Sequence, residues 1–272
     1  MAFVSCKQKA EEPSFLNIET FTVKTDNLTQ GSSLQNISEA FVYINDQNVG
    51  VYHLPATIPL AIAGSYNIKV FPAVVENAIA SNPRYSYTFL KAFDTTAVLT
   101  ANKSITIKPT TTYQSTVKFV MIEDFENILP LFGKTTYNNI DTLLRDSLPA
   151  DNIEAGHCAL FDIKDGYTME YATRNEYSLP TSSSSETFVE INYRSDLPLA
   201  IGLFINEPTT IIKTGVVTLN SKETWSKAYI NLTTVVSVHP LGTKFRLFIG
   251  AQNTTGASKK VFVDNIKLIH FE

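Results

Sequence analysis

Short strand-like runs follow one another along almost the whole chain, and no long stretch of helical period interrupts them. Runs at 17–25, 39–45, 49–52, 64–71, 85–93, 97–99, 103–108 and 114–122 are rich in Val, Ile, Thr, Tyr and Phe. Clusters of Asn, Asp, Gly and Pro separate them. β-branched and aromatic side chains suit a pleated, half-buried surface, and turn residues at this spacing suit hairpins. The second half repeats the pattern at 156–163, 167–173, 187–193, 199–205, 214–219, 225–232 and 244–251. The expected fold class is all-β. One short helix is expected over 138–147, where Ile140, Leu143, Leu144 and Leu148 recur at helical spacing before Pro149.

The chain has 272 residues, enough for two domains of ordinary size. Hydrophobic residues make up 44% and charged residues 18%, which favours a globular over a disordered chain. No apolar run approaches the ~20 residues of a membrane-spanning helix. A net charge of −4 speaks against a nucleic-acid surface. The two cysteines, Cys6 and Cys158, make no zinc pattern. Cys158 precedes Ala159-Leu160-Phe161 and is expected to be buried as a small hydrophobe.

In the first half, alternation over 41–45 sets Phe41, Tyr43 and Asn45 on one face and Val42 and Ile44 on the other. Asp46-Gln47-Asn48 is expected to turn the chain, since Asx side chains tolerate left-handed backbone. Gly50, Pro55 and Gly64 then punctuate the way to the next strand. This pattern resembles the small Ig-like sandwich modules of the PEGA type. The resemblance implies a spacer or adhesion-like platform whose residues carry fold rather than chemistry.

The character changes at Glu123-Asp124-Phe125-Glu126. A late Trp225-Ser226-Lys227-Ala228-Tyr229 strand and a closing Val263-Asp264-Asn265-Ile266 strand follow. Together these features resemble the jelly-roll of carbohydrate-binding modules. That resemblance implies a structural Ca²⁺ held by Glu126 and Asp264, with Asp124 nearby, and hard oxygen ligands suit calcium. It also implies that Trp225 packs inside. Tyr171, Tyr193 and Tyr229 alternate out of apolar strands and are the expected sugar-stacking platform.

The start, Phe3-Val4-Ser5-Cys6, resembles a bacterial lipobox, and Gln8-Lys9-Ala10-Glu11-Glu12 resembles the export signal of Bacteroidetes surface lipoproteins. A full signal needs about 7–15 apolar residues, so the resemblance implies a leader upstream of Met1. Expected domains are 1–14 as signal remnant and tether, 15–119 as an Ig/PEGA-like sandwich and 120–272 as the jelly-roll, with a junction near 116–123. Tether, small sandwich and jelly-roll together resemble a group of Bacteroidetes surface lipoproteins. Lipidation at Cys6 and an outer-membrane, surface-exposed location are what that resemblance implies.

The four histidines, His53, His157, His239 and His270, show no metal-ligand spacing, and neither a nucleophile elbow nor a phosphate loop occurs. Paired carboxylates drawn from Glu170, Glu176 and Glu190 are the remaining route to catalysis, as in a glycosidase. Glu170 should share a face with Thr168 and Ala172, and Glu190 with Phe188 and Asn192. The expected function is non-enzymatic glycan binding at the cell surface. Its alternatives are an accessory subunit of an outer-membrane assembly and a glycoside hydrolase; no nucleic-acid partner is expected.

Overall fold

The computed structural model describes residues 12–139, 143–147 and 151–272. Cys6 and residues 140–142 and 148–150 lie outside them. The described chain divides into two compact units. The first holds 12–24, 37–74 and 84–113; the second holds 25–36, 75–83 and 114–272. The second unit therefore includes two stretches from the N-terminal half, in addition to everything after 113.

In the first unit the strands are β1 (Ser14–Ile18), β2 (Thr22–Lys24), β3 (Glu39–Ile44), β4 (Gln47–His53), β5 (Ala56–Leu60), β6 (Gly64–Val75), β7 (Arg84–Ser86), β8 (Phe93–Leu99), β9 (Ser104–Ile107) and β10 (Thr110–Thr112). They form a sheet of order β4-β3-β6-β7 with β8 also on β6, a smaller sheet β5-β1-β9 and the pair β10-β2. Alternation explains the interior. Val42 and Ile44 are buried, whereas Tyr43 lies on the opposite face edge-on to Phe71, with centroids 5.3 Å apart. The turn between β3 and β4 sits one residue earlier than the sequence suggests. Asn45 and Asp46 have φ of 47° and 63°, and Ile44 pairs with Gln47. Two Asx residues with positive φ form the two-residue hairpin turn that matches strand twist.

In the second unit the strands are β11 (Val117–Glu123), β12 (Phe132–Lys134), β13 (Leu144–Asp146), β14 (Cys158–Ile163), β15 (Thr168–Thr173), β16 (Tyr177–Ser178), β17 (Thr187–Ser195), β18 (Leu199–Asn206), β19 (Ile211–Leu219), β20 (Lys222–Asn231), β21 (Lys244–Gln252) and β22 (Lys259–Phe271). One sheet runs β13-β14-β22-β17-β20, with β11 also on β22; the other runs β12-β15-β21-β18-β19, with β16 also on β21. Two antiparallel sheets make a β-sandwich of jelly-roll type, and its core is filled from both inner faces. Phe161, Ile191, Tyr193 and Val263 come from the β22 sheet; Tyr171, Leu203, Phe245 and Leu247 come from the β21 sheet. Burying each such side chain stabilises by roughly 1.5–3 kcal/mol. Of the helix expected over 138–147, residues 140–142 lie outside the described residues, and Leu144–Asp146 is a strand paired with Cys158–Leu160 of β14. A sheet edge within reach overrides a weak helical period. Short helices α1 (Asn27–Gln30) and α2 (Thr233–Ser237) complete the unit.

Candidate functional site

Strand alternation decides what the β21 sheet shows outward. On β15, Met169 and Tyr171 enter the core, so Thr168, Glu170 and Ala172 stand outside. By the same rule β21 shows Lys244, Arg246, Phe248 and Gly250, and β18 shows Ala200, Gly202, Phe204 and Asn206. The register sets these in rows across the strands. One row reads Gly133, Ala172, Phe248, Gly202, Gly215. The next reads Arg246, Phe204, Lys213.

The first row carries few side chains, and Gly202 is required in it, whereas Gly215 has open space where a Cβ would stand. A Cβ on Gly202 would stand 2.3 Å from the Thr214 carbonyl oxygen and 2.4 Å from Cζ of Phe248, so the ring lies on the glycine. A Cβ on Gly133 would meet a terminal nitrogen of Arg174 at 2.9 Å. The product is a shallow trough whose floor, the Phe248 ring, is itself 4% exposed.

Lys213 reaches across that trough. Its Nζ pairs with Oε2 of Glu170 at 2.5 Å, although β21 and β18 lie between their strands. Oε1 of Glu170 accepts from the Thr135 hydroxyl at 2.8 Å. The ammonium sits 4.2 Å from the Tyr137 ring centroid, 5.1 Å from Phe248 and 5.8 Å from Phe204, a cation–π cluster. Tyr137 is 59% exposed, and Phe204 is half-buried. The Tyr137 loop is pinned to β15, since Asn138 Oδ1 accepts from the Glu170 N–H at 3.0 Å. Around the rim, Arg246 donates from Nε to the Thr173 carbonyl at 2.6 Å, and Arg174 does so to Pro130 at 3.1 Å. Asn206 donates to the Glu176 carboxylate.

Three rings expected to form the platform are buried instead. Tyr171, Tyr193 and Tyr229 are 3%, 1% and 3% exposed. Tyr171 faces inward because its neighbours Glu170 and Ala172 face outward, and it packs on Phe161 at 5.0 Å between centroids. Tyr193 is likewise in the core, its hydroxyl donating to the Asn220 carbonyl. Tyr229 stands on the outer face of the β22 sheet, but Asn36 lies over it and donates its N–H to the phenol oxygen at 3.0 Å. Burial holds all three phenols above their ordinary pKa.

Glu126 and Asp264 do share a cavity of about 350 Å³, with Asp124 and Glu154. Burial, aided by those three carboxylates, pushes the Asp264 carboxyl up to about 8. Their oxygens are committed elsewhere, however. Glu126 accepts from the His157 N–H at 2.6 Å and pairs with its Nδ1 at 2.9 Å; Asp264 accepts from the Asn265 N–H at 2.7 Å. Among the described residues no three His, Cys, Asp or Glu side chains gather closely enough to hold a metal ion.

Trp225 lies outside the core, on the outer face of the β22 sheet. It is half-buried against Cys158, Leu160 and Phe262, and its indole N–H donates to the Asp151 carbonyl at 2.8 Å. Cys158 is buried as expected, and burial raises its thiol to about 12. Glu170 and Glu190 belong to opposite sheets and both face outward, so the core separates them.

Tyr137, Phe204, Phe248, Lys213 and Arg246 were not singled out from the sequence. The parity that places Glu170 outside also places Phe204 and Phe248 outside, once Leu203 and Leu247 are assigned to the core. Nothing local to Tyr137 marks it.

No protein-family model matches the chain, and no curated protein matches it. Among solved structures, it is similar to one described for the promiscuous specificity of carbohydrate-binding modules from the β-sandwich superfamily. The identity is 12% over 85% of each chain, with a TM-score of 0.42. It is also similar to the family 11 carbohydrate-binding module of a Clostridium thermocellum cellulosomal cellulase (16% identity, 56% of this chain and 93% of that one, TM-score 0.38). A third is a xylan-binding domain from Paenibacillus barcinonensis (6% identity, 58% and 98%, TM-score 0.41). Identities and TM-scores this low leave function to the site itself.

Proposed function

We propose that the chain is a non-enzymatic glycan-binding protein, held at the outer surface of an outer membrane by lipid on Cys6. The observation that carries glycan binding is the outer face of the β21 sheet. A trough on this face has an exposed ring at Tyr137 and a half-buried one at Phe204, over a Phe248 ring that is only 4% exposed, with amide and guanidinium donors at its rim. Pyranoses present flat C–H faces and directional hydroxyls, which rings and oriented polar groups complement. A hydrolase is less well supported. It needs two carboxyl groups about 5–9.5 Å apart across one bond; Glu170 and Glu190 lie on opposite faces of the sandwich, and Glu176, on the face of Glu170, is held by Asn206 while Glu170 is held by Lys213 and Thr135. The alternative of an accessory subunit draws on Ile211 at the start of β19 and on Val238 and Leu241 after α2, exposed at 69%, 74% and 94%, with the His239–Glu207 pair joining the two segments' neighbours. On the glycan reading the first unit is a PEGA-like spacer. Calcium also stays a proposal, since a cation would have to draw Glu126 away from His157; thermal unfolding with Ca²⁺ and with chelator tests it.

Affinity electrophoresis and calorimetry against a polysaccharide panel test the binding face. Tyr137→Ala and Phe204→Ala should each weaken binding, by roughly 0.5–1.5 kcal/mol beyond area burial. Tyr171→Phe should leave it unchanged. Binding untouched by both surface variants would move the site elsewhere. For the anchor, labelling with an alkyne fatty acid should be lost in Cys6→Ser.

A further inference from the structure

The outer face of the β21 sheet has a charge balance unlike the rest of the chain. It carries Arg174, Lys213, Lys244 and Arg246 against Glu170 and Glu176, four cations to two carboxylates, in a chain whose net charge is −4. Both carboxylates are engaged. Glu170 holds Lys213 and Thr135, and Glu176 accepts from Asn206. Among the described residues neither Arg174 nor Arg246 has a carboxylate partner.

The two arginines are also oriented. Each is tied through Nε to a backbone carbonyl, Arg246 to Thr173 and Arg174 to Pro130. Thr173 directly precedes Arg174, so the two guanidiniums are anchored around one strand end. Arg174 lies along Gly133, where any side chain would displace it. Tethering Nε leaves the paired terminal nitrogens, a planar fork whose geometry matches a carboxylate or sulfate. A neutral sugar would need no such pair of unneutralised forks beside its stacking rings.

We propose that this face selects anionic polysaccharides, with Arg174 and Arg246 receiving their carboxylate or sulfate groups. The inference rests on the glycan-binding reading and narrows it. The rings of Phe204 and Tyr137 hold the sugar backbone, and the guanidiniums choose which backbone is held.

The test uses the full chain in calorimetry against charged and neutral partners. Polygalacturonate is compared with its fully methyl-esterified form, which keeps the backbone and removes the charge. Heparin and chondroitin sulfate supply sulfate; galactan and xylan are the neutral arm. At least one anionic polymer should bind about tenfold more tightly than the neutral ones. Arg174→Gln and Arg246→Gln should each cost about tenfold on that polymer, and Arg→Lys at either position should recover only part of it. Raising salt should weaken the anionic arm selectively. Unfolding midpoints establish that the variants fold, and the Lys variants carry the test should a Gln variant fail to. Neutral polymers binding as well as charged ones would overturn the anionic preference and leave glycan binding standing. Anionic binding indifferent to all four variants would overturn the assignment to these arginines. Failure of every polymer would remove both readings.

Discussion

The two outer faces of the second unit carry the same device, a glutamate on one strand paired with a lysine on another, and they treat it in opposite ways. On the β22 sheet, Glu190 and Lys227 meet at 2.6 Å with side chains 1% and 2% exposed. Chain from 25–36 lies over them: Lys227 donates to the Leu34 carbonyl at 2.8 Å, and Lys267 to that of Ser32 at 2.6 Å. On the β21 sheet, Glu170 and Lys213 meet at 2.5 Å; the glutamate side chain is 6% exposed, but the lysine is 34% exposed, with the rings of Tyr137, Phe248 and Phe204 around it. A buried pair whose spare protons are satisfied by backbone is part of the fold. A pair whose lysine reaches water, bordered by rings and oriented arginines, is the one the glycan-binding proposal draws on. Cover, rather than residue type, separates the two pairs.

The sharpest way to break this comparison is to remove the glutamates one at a time. Glu190→Gln leaves Lys227 charged inside the protein and should cost about 3–5 kcal/mol in denaturant unfolding. Glu170→Gln leaves Lys213 with access to water and should cost under about 1 kcal/mol. Equal losses would mean that the two faces are equally closed.

The covered face should also give stability an unusual pH profile. Burial lowers the Lys267 ammonium from 10.5 to about 7, while Glu190 partly opposes the shift. Between pH 7 and 10.5 the unfolded chain holds a proton that the folded chain lacks, so this residue makes stability rise with pH across that window. Asp264 acts in the reverse sense. Its carboxyl, raised from 3.8 to about 8, makes the folded state hold an extra proton, so stability falls as pH climbs through that interval. Together they predict a minimum near pH 7–8, shallow by about 2–4 kcal/mol relative to the flanks. Lys267→Met should abolish the alkaline rise and Asp264→Asn the acid-side fall, in unfolding measured from pH 5 to 10. A flat profile in the unaltered protein would show that water reaches both groups.

How much of this was legible beforehand follows from the physics of strands. The all-β class and the outward setting of Glu170 with Ala172 come from period-two alternation, which the sequence displays directly; the burial of Cys158 was legible from its apolar neighbours, although it is reached on the outer face, under Trp225 and Phe262. That rule also decides Tyr171, which has to face inward if Glu170 faces out. Tyr229 fails for another reason. It faces outward by parity, yet a segment almost two hundred residues earlier lies on it, and no local pattern announces such cover. Lys213 and Tyr137 were hidden because the bridge to Glu170 spans two intervening strands. The C-terminal part of the helix expected at 138–147 yielded to strand pairing of 144–146 with β14.

Trp225 sharpens the contrast at a smaller scale. It sits on the β22 sheet, outside the main core, and is half-buried over Phe262 at 6.4 Å between centroids. Full burial of such a ring would make Trp→Ala cost about 3–5 kcal/mol, so a partly open position should cost about 1–3 kcal/mol. Loss at the upper value would place the indole functionally inside, as the family resemblance implied.

Tyr137→Ala should have the smallest effect on stability and a clear one on binding. The residue is 59% exposed, and its ring contact is to Lys213, whose charge Glu170 already holds. Surface substitutions of this kind usually stay within about 0.5 kcal/mol. Its neighbours Asn138 and Asn139 still pin the loop to β15 through the Glu170 and Thr168 N–H groups. The ring also shields the Lys213–Glu170 bridge, so its removal should increase the salt sensitivity of that pair without unfolding the sheet. Denaturation at two salt concentrations reads the first effect, and calorimetry with the tightest polysaccharide reads the second. An unfolding loss above about 1.5 kcal/mol, beyond what an exposed ring contributes, would make Tyr137 a structural cover like Asn36. The two outer faces would then differ less than their exposure indicates.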